Sequence, residues 1–181
     1  WSHDRGVAWR SLYTGGGAGR LGGMTLPARV RPGDVIEPEH HNAFVEYWRE
    51  RVGQLESLRP MVAERVPDRV GEYDALVGAL RDHASSMPVV AWGDYVYSEH
   101  FNSRLTAVDL FLSIADFLVN VVLGSPGDLV EELEGIRRLR GAVAPRGAGD
   151  VITASDHNTL VDIAEACLRL MEMIEQKLTG A

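Results

Sequence analysis

Apolar side chains at Phe44, Trp48, Val52 and Leu55 step by four, four and three residues, the spacing that lines one face of an α-helix. The pattern predicts a helix over about 38–58. Pro38 suits its first turn, where an N–H has no partner anyway. Glu37 and Glu39 favour the positive end of its dipole, and Pro60 is expected near its end. A second seam, Val66, Val70, Tyr73, Val77, Leu80 and Ala84, opens at Pro67-Asp68 and stops at Ser85-Ser86-Met87-Pro88. From Leu105 to Leu123 nearly every face is apolar, as in the central helix of a bundle. Asp109, Ser113, Asp116 and Asn120 form one narrow polar stripe along it, facing solvent, a polar core layer or a partner. Two carboxylates in that stretch argue against a membrane span.

Ser125-Pro126-Gly127-Asp128 reads as a capping box with proline in the first turn. The helix it opens runs to about Arg140, with Leu129, Leu133 and Ile136 inward. Arg137, Arg138 and Arg140 complement the negative end of its dipole; an anion or partner contact is the other use for that cluster. A last helix, about 154–178, keeps four–three spacing through Leu160, Ala164, Cys167, Met171, Ile174 and Leu178. With almost no strand signal, the fold expected is an all-α bundle of about five helices.

A short phrase recurs before three of these helices. Gly33-Asp34-Val35-Ile36 leads to Asn42, Gly93-Asp94-Tyr95-Val96 to Asn102, and Gly149-Asp150-Val151-Ile152 to Asn158, at intervals of 60 and 56 residues. Each copy carries histidine close before the Asn: His40 and His41, His100, His157. The mechanical reading is a helix-opening device. Gly permits the turn, and Asp accepts hydrogen bonds from nearby backbone. The two residues after Asp staple the loop to the bundle, and Thr153-x-x-Asp156 makes a capping box. The Asn amide reaches back to its opening loop. The chemical alternative is a metal site built from these histidines with Glu39, Glu99 and Asp156. It needs all three helix starts to converge, and no copy has H-x-x-x-H or E-x-x-H ligand spacing.

Residues 1–36 lack an apolar period and are rich in glycine: Gly15-Gly16-Gly17, Gly19 and Gly22-Gly23. They read as an extended N-terminal arm on a bundle of residues 37–181. Trp1, Trp9, Leu12, Tyr13 and Leu21 are its candidate contacts with its own bundle or with a neighbouring subunit. The chain starts at Trp1 and shows no positively charged leader, although a removed one would leave no trace. Net charge is −8, which disfavours general nucleic-acid binding because phosphate neutralisation needs a basic face. Arg5, Arg10, Arg20, Arg29 and Arg31 could still line a lumen around nucleic acid. The single Cys167 lies on an apolar helical face and reads as core. No nucleophile elbow, phosphate loop or dinucleotide fingerprint is present. Asp109 and Asp116 lie two turns apart, a weak basis for acid–base catalysis. No cofactor is implied.

The third copy, Gly-Asp-Val-Ile-Thr-Ala-Ser-Asp-His-Asn-Thr-Leu-Val, resembles a motif in structural proteins of tailed phages and of viruses infecting hyperthermophilic archaea. There a Gly-x-x-Ile/Val-Thr-Ala-x-Asp-x-Asn-x-Leu phrase precedes a long helix of a virion, tail or fibre subunit. The first two copies depart at Glu37-Pro38 and Tyr97-Ser98. The resemblance implies a non-enzymatic, self-assembling structural subunit of a virion, tail or extracellular filament. Copies of itself would be its partners, with the arm strapping neighbours together. The alternatives are a small oligomeric helical interaction or regulatory protein in the cytoplasm, and a metal-dependent enzyme using the motif histidines.

Overall fold

The structure, a computed structural model, describes residues 26–180. They form five α-helices: α1 (Pro38–Arg65), α2 (Val70–Ser86), α3 (Ser98–Asp116, continued by a π-helix Phe117–Val122), α4 (Gly127–Gly141) and α5 (Ala154–Thr179). A single 3-10 turn, Pro67–Arg69, joins α1 to α2. Helices α1, α3 and α5 start at the repeated phrase, run in the same direction and touch one another; α2 and α4 return the chain between them on the outside.

The three inner helices share one heptad register. Counted from Asn42, Asn102 and Asn158, buried side chains recur at equivalent steps of three and four. The uppermost set is His41, Phe101 and His157; below it come Phe44, Arg104 and Leu160, then Trp48, Val108 and Ala164. Arg51, Phe111 and Cys167 follow, then Leu55, Ala115 and Met171, then Leu58, Leu118 and Ile174. In the three middle sets a bulky residue is matched by a small one, Trp48 by Ala164, Arg51 and Phe111 by Cys167, and Leu55 and Met171 by Ala115, as close packing around a shared axis requires. The chain is therefore a pseudo-threefold bundle folded from one polypeptide.

Helix α1 outruns its predicted end. Pro60 lies inside it, and the helix continues to Arg65. An interior proline costs about 3 kcal/mol, but beyond it Val62 is buried and Met61 and Val66 pack against the core. Burying Val62 fully and its two neighbours in part returns a similar amount, at about 1.5–3 kcal/mol for a fully buried side chain.

The predicted Ser125 cap does not form. The π-turns end with Ser125 N–H donating to the Val119 carbonyl at 2.8 Å, and Gly124 and Ser125 both take positive φ. The Ser125 hydroxyl donates to Asn120 Oδ1 at 2.8 Å, which leaves Pro126 as the N-cap of α4.

The polar stripe of α3 faces α4. Arg140 Nε donates to Asp109 at 2.8 Å, and Arg137 donates to Asp116 at 2.7 Å. The arginine cluster thus serves an interhelical seam as well as a helix end. By length and composition Ser98–Val122 is apolar enough to cross a membrane; in this bundle that segment is the inner helix carrying the Arg-paired stripe.

The arm boundary at residue 36 falls within a loop that belongs to the bundle. Leu26 and Val30 are buried, and Arg29 pairs with Asp162 and Glu165 of α5. The predicted arm contacts Trp1, Trp9, Leu12, Tyr13 and Leu21 lie outside the described residues.

Candidate functional site

The three copies of the phrase converge at one end of the bundle, where their loops form a crown. Each loop turns at its glycine. Asp34 N–H donates to the Arg31 carbonyl at 3.0 Å, Asp94 N–H to Ala91 at 3.1 Å and Asp150 N–H to Gly147 at 3.1 Å. Gly33, Gly93 and Gly149 take φ of 88°, 90° and 87°, the third position of a type II turn. Asp34 and Asp150 fold back to accept from the first amide of their own turn, Arg31 N–H at 3.0 Å and Gly147 N–H at 2.6 Å. A Cβ on Gly93 would meet nothing within 4 Å, so its substitution costs only backbone strain. Gly93→Ala is expected to lower stability by about 1–2 kcal/mol, read as a shift in urea midpoint at unchanged slope.

The asparagines do not reach back to their own loops. Each clamps the loop of another repeat, by a side-chain amide that pairs with one residue's N–H and C=O as a neighbouring strand would. Asn42 accepts from Val90 N–H and donates to its carbonyl, both at 2.9 Å. Asn102 does the same to Arg146, both at 2.8 Å. Asn158 holds Val30, at 2.9 and 2.8 Å. Helix α1 thus holds the second loop, α3 the third, and α5 the first, so the ring closes. A primary amide carries its donor and acceptor on separate atoms of one short stem, spaced to meet both groups of a single residue.

One residue before the Asn, His41 Nε2 donates to the Pro88 carbonyl and His157 Nε2 to the Ala28 carbonyl, both at 2.8 Å. These bonds fix the proton on Nε2 and leave Nδ1 as acceptor. Arg104 supplies the donors, Nε to His41 Nδ1 at 3.1 Å and Nη1 towards His157 Nδ1 at 3.5 Å. The third equivalent position is Phe101, and the guanidinium carbon lies 5.7 Å from its ring centre and 5.1 Å from that of Phe44. Burial pulls the Arg104 guanidinium down to about 9, still a cation at neutral pH. Burial, and next the Arg104 charge, hold His41 at about 4. His157 is likewise held at about 4, chiefly by burial.

Two residues before the Asn, the side chain caps its own helix. His40 Nδ1 accepts from Glu37 N–H at 2.9 Å, His100 Nδ1 from Tyr97 N–H at 2.8 Å, and Asp156 Oδ2 from Thr153 N–H at 3.0 Å. Thr153-x-x-Asp156 is the expected capping box, and histidine replaces the acid in the other two.

The helix starts therefore meet as a metal site would require, yet both ring nitrogens of His41 and His157 and the Nδ1 atoms of His40 and His100 serve the frame. Among the described residues no group of three or more His, Cys, Asp and Glu is placed to hold a metal ion.

The staple reading holds for half of each pair. Ile36, Val96 and Ile152 turn partly inward, while Val35, Tyr95 and Val151 stand outward at 74%, 77% and 77% exposure. With Val89, Trp92 and Tyr97 they are the exposed large hydrophobic residues of the described chain, and all six lie on or beside the crown loops. The loops surround a depression of about 580 Å³, lined from all three repeats, with Asp34, Asp94 and Asp150 on its wall. Sequence reasoning missed Arg104 and the clamped residues Val30, Val90 and Arg146. Arg104 had a legible signal, because it occupies the seam position between Phe101 and Val108.

No family model, curated protein or solved structure matches the chain.

Proposed function

We propose that the chain is a non-enzymatic structural subunit of a virion, tail or extracellular filament, built to assemble. The crown carries this reading. Large apolar side chains are normally scattered singly over a surface; a cluster at one end marks a face meant for another molecule. The frame beneath the crown is a closed set of hydrogen bonds, which suits holding a shape better than turning over a substrate. The resemblance of the phrase Gly149–Asn158 to virion and tail proteins points the same way.

In this reading copies join one another through residues 1–25, and the crown faces the rest of the assembly. Negative-stain imaging with light scattering on the purified full chain tests it. Regular filaments or shells are expected, and deletion of residues 1–25 should reduce them to small particles. A monodisperse small particle from the full chain would sink the proposal. Assembly that survives the deletion would remove the strap from it.

A further inference from the structure

We infer that the crown is a seat for the end of a threefold-symmetric, basic partner, a homotrimer docked along the pseudo-threefold axis of this bundle. The inference rests on the reading of the chain as one part of an assembly and names what covers its exposed end.

Three observations carry it. The crown repeats its surface chemistry three times around one axis: each loop presents Asp34, Asp94 or Asp150 at the turn, followed by an outward Val35, Tyr95 or Val151 of nearly equal exposure. The Asn42, Asn102 and Asn158 clamps pass cyclically from helix to helix, so the three loops are held in equivalent settings. A symmetric partner presents identical chains to a face, and only a threefold arrangement brings the same partner residue to all three turns.

Charge selects the partner's sign. Asp34, Asp94 and Asp150 are exposed and enter no ion pair among the described residues, whereas Asp74, Asp109 and Asp116 on the flanks are paired with arginine. Two crowns set face to face would oppose these carboxylates, which disfavours a second copy. A partner end offering one apolar and one Lys or Arg side chain per chain satisfies all three turns together. Trp92 and Tyr97 stand out on the second loop alone and give one chain of the trimer contacts that the other two lack.

The test titrates the full chain with synthetic parallel coiled coils of two, three and four strands. All carry the same terminal turn of leucine, lysine and arginine, and binding is followed by calorimetry. One chain is expected per trimer, with affinity at least tenfold above that for the dimer or tetramer, and weakening as salt rises. Tyr95→Lys and Val151→Lys, both at exposed positions that leave the bundle intact by circular dichroism, should remove the binding. Glu72→Ala on the flank should not. Equal affinity for the three coiled coils, absence of binding, or binding indifferent to the crown variants would overturn the inference. Light scattering on the chain alone reports separately on the assembly reading, so the two can fail independently.

Discussion

Lowering the pH from 7 to 5 is expected to remove about 4 kcal/mol of folding stability, before carboxylates are appreciably protonated. The cause is the pair His41 and His157, each held at about 4 in the fold against 6.5 for an unperturbed histidine. Between those values the unfolded chain binds protons that the folded chain refuses. Stability is therefore full above about pH 6.5, falls as the pH drops through the window, and stops falling from this source below about 4. At pH 5 each histidine accounts for about 2 kcal/mol. A proton on His41 would sit on Nδ1, where Arg104 now donates; it would break that bond and set two cations together. His40 and His100, also lowered chiefly by burial, act in the same direction. Urea unfolding at half-unit pH steps reads the loss. His157→Gln removes one titrating site while keeping a donor within reach of the Ala28 carbonyl, and should reduce the loss by about half. A stability flat between pH 7 and 5 would show that these rings are not neutral hydrogen-bonding members of the frame.

The bundle was legible in the sequence because apolar periodicity is a local signal. The seams through Phe44, Tyr73, Leu105, Leu129 and Leu160 each mark an element that exists, within a few residues except at the C-terminal end of α1. The errors fell where a non-local gain outweighed a local preference. Pro60 reads as a stop until the packing of Met61, Val62 and Val66 beyond it is weighed against it. Ser125 reads as a cap until the π-turns of α3 claim its N–H. The site was half legible. The repeated phrase identified Gly33, Gly93 and Gly149 as turns and singled out Asn42, Asn102 and Asn158, but its local reading sends the amides back to their own loops, whereas they reach across to another repeat. Reaching back within one repeat and across to the next look identical in a linear chain, because the difference lies in the closure of three helices around an axis. The apolar pair after each Asp posed the same problem. Alternation sends one residue in and one out, and the crown exists because Val35, Tyr95 and Val151 are the ones sent out.

Removing one clamp should open the ring at a single, nameable place. Asn102→Ala deletes both hydrogen bonds to Arg146 and leaves a backbone N–H and C=O without their partner at the head of α3. Each abandoned group costs about 1–3 kcal/mol if water does not reach it. Arg146 is half-buried and keeps its pairing with Asp156, so a total of about 2–4 kcal/mol is expected. Asn102→Asp preserves the acceptor but turns a carboxylate oxygen towards the Arg146 carbonyl, and should recover little. The local signature is amide exchange: protection at Arg146 should fall most in Asn102→Ala, with smaller losses at Val30 and Val90, which the other two clamps still hold. Pairing the change with Asn42→Ala then tests whether the crown is one unit. Independent clamps would give additive losses within about 0.5 kcal/mol. A closed ring predicts a double variant that loses less than the sum, because once the third loop is released the second has already lost part of its support. Additive losses with exchange confined to the two released residues would mean that the three loops are held separately, and that the threefold crown has no cooperativity of its own.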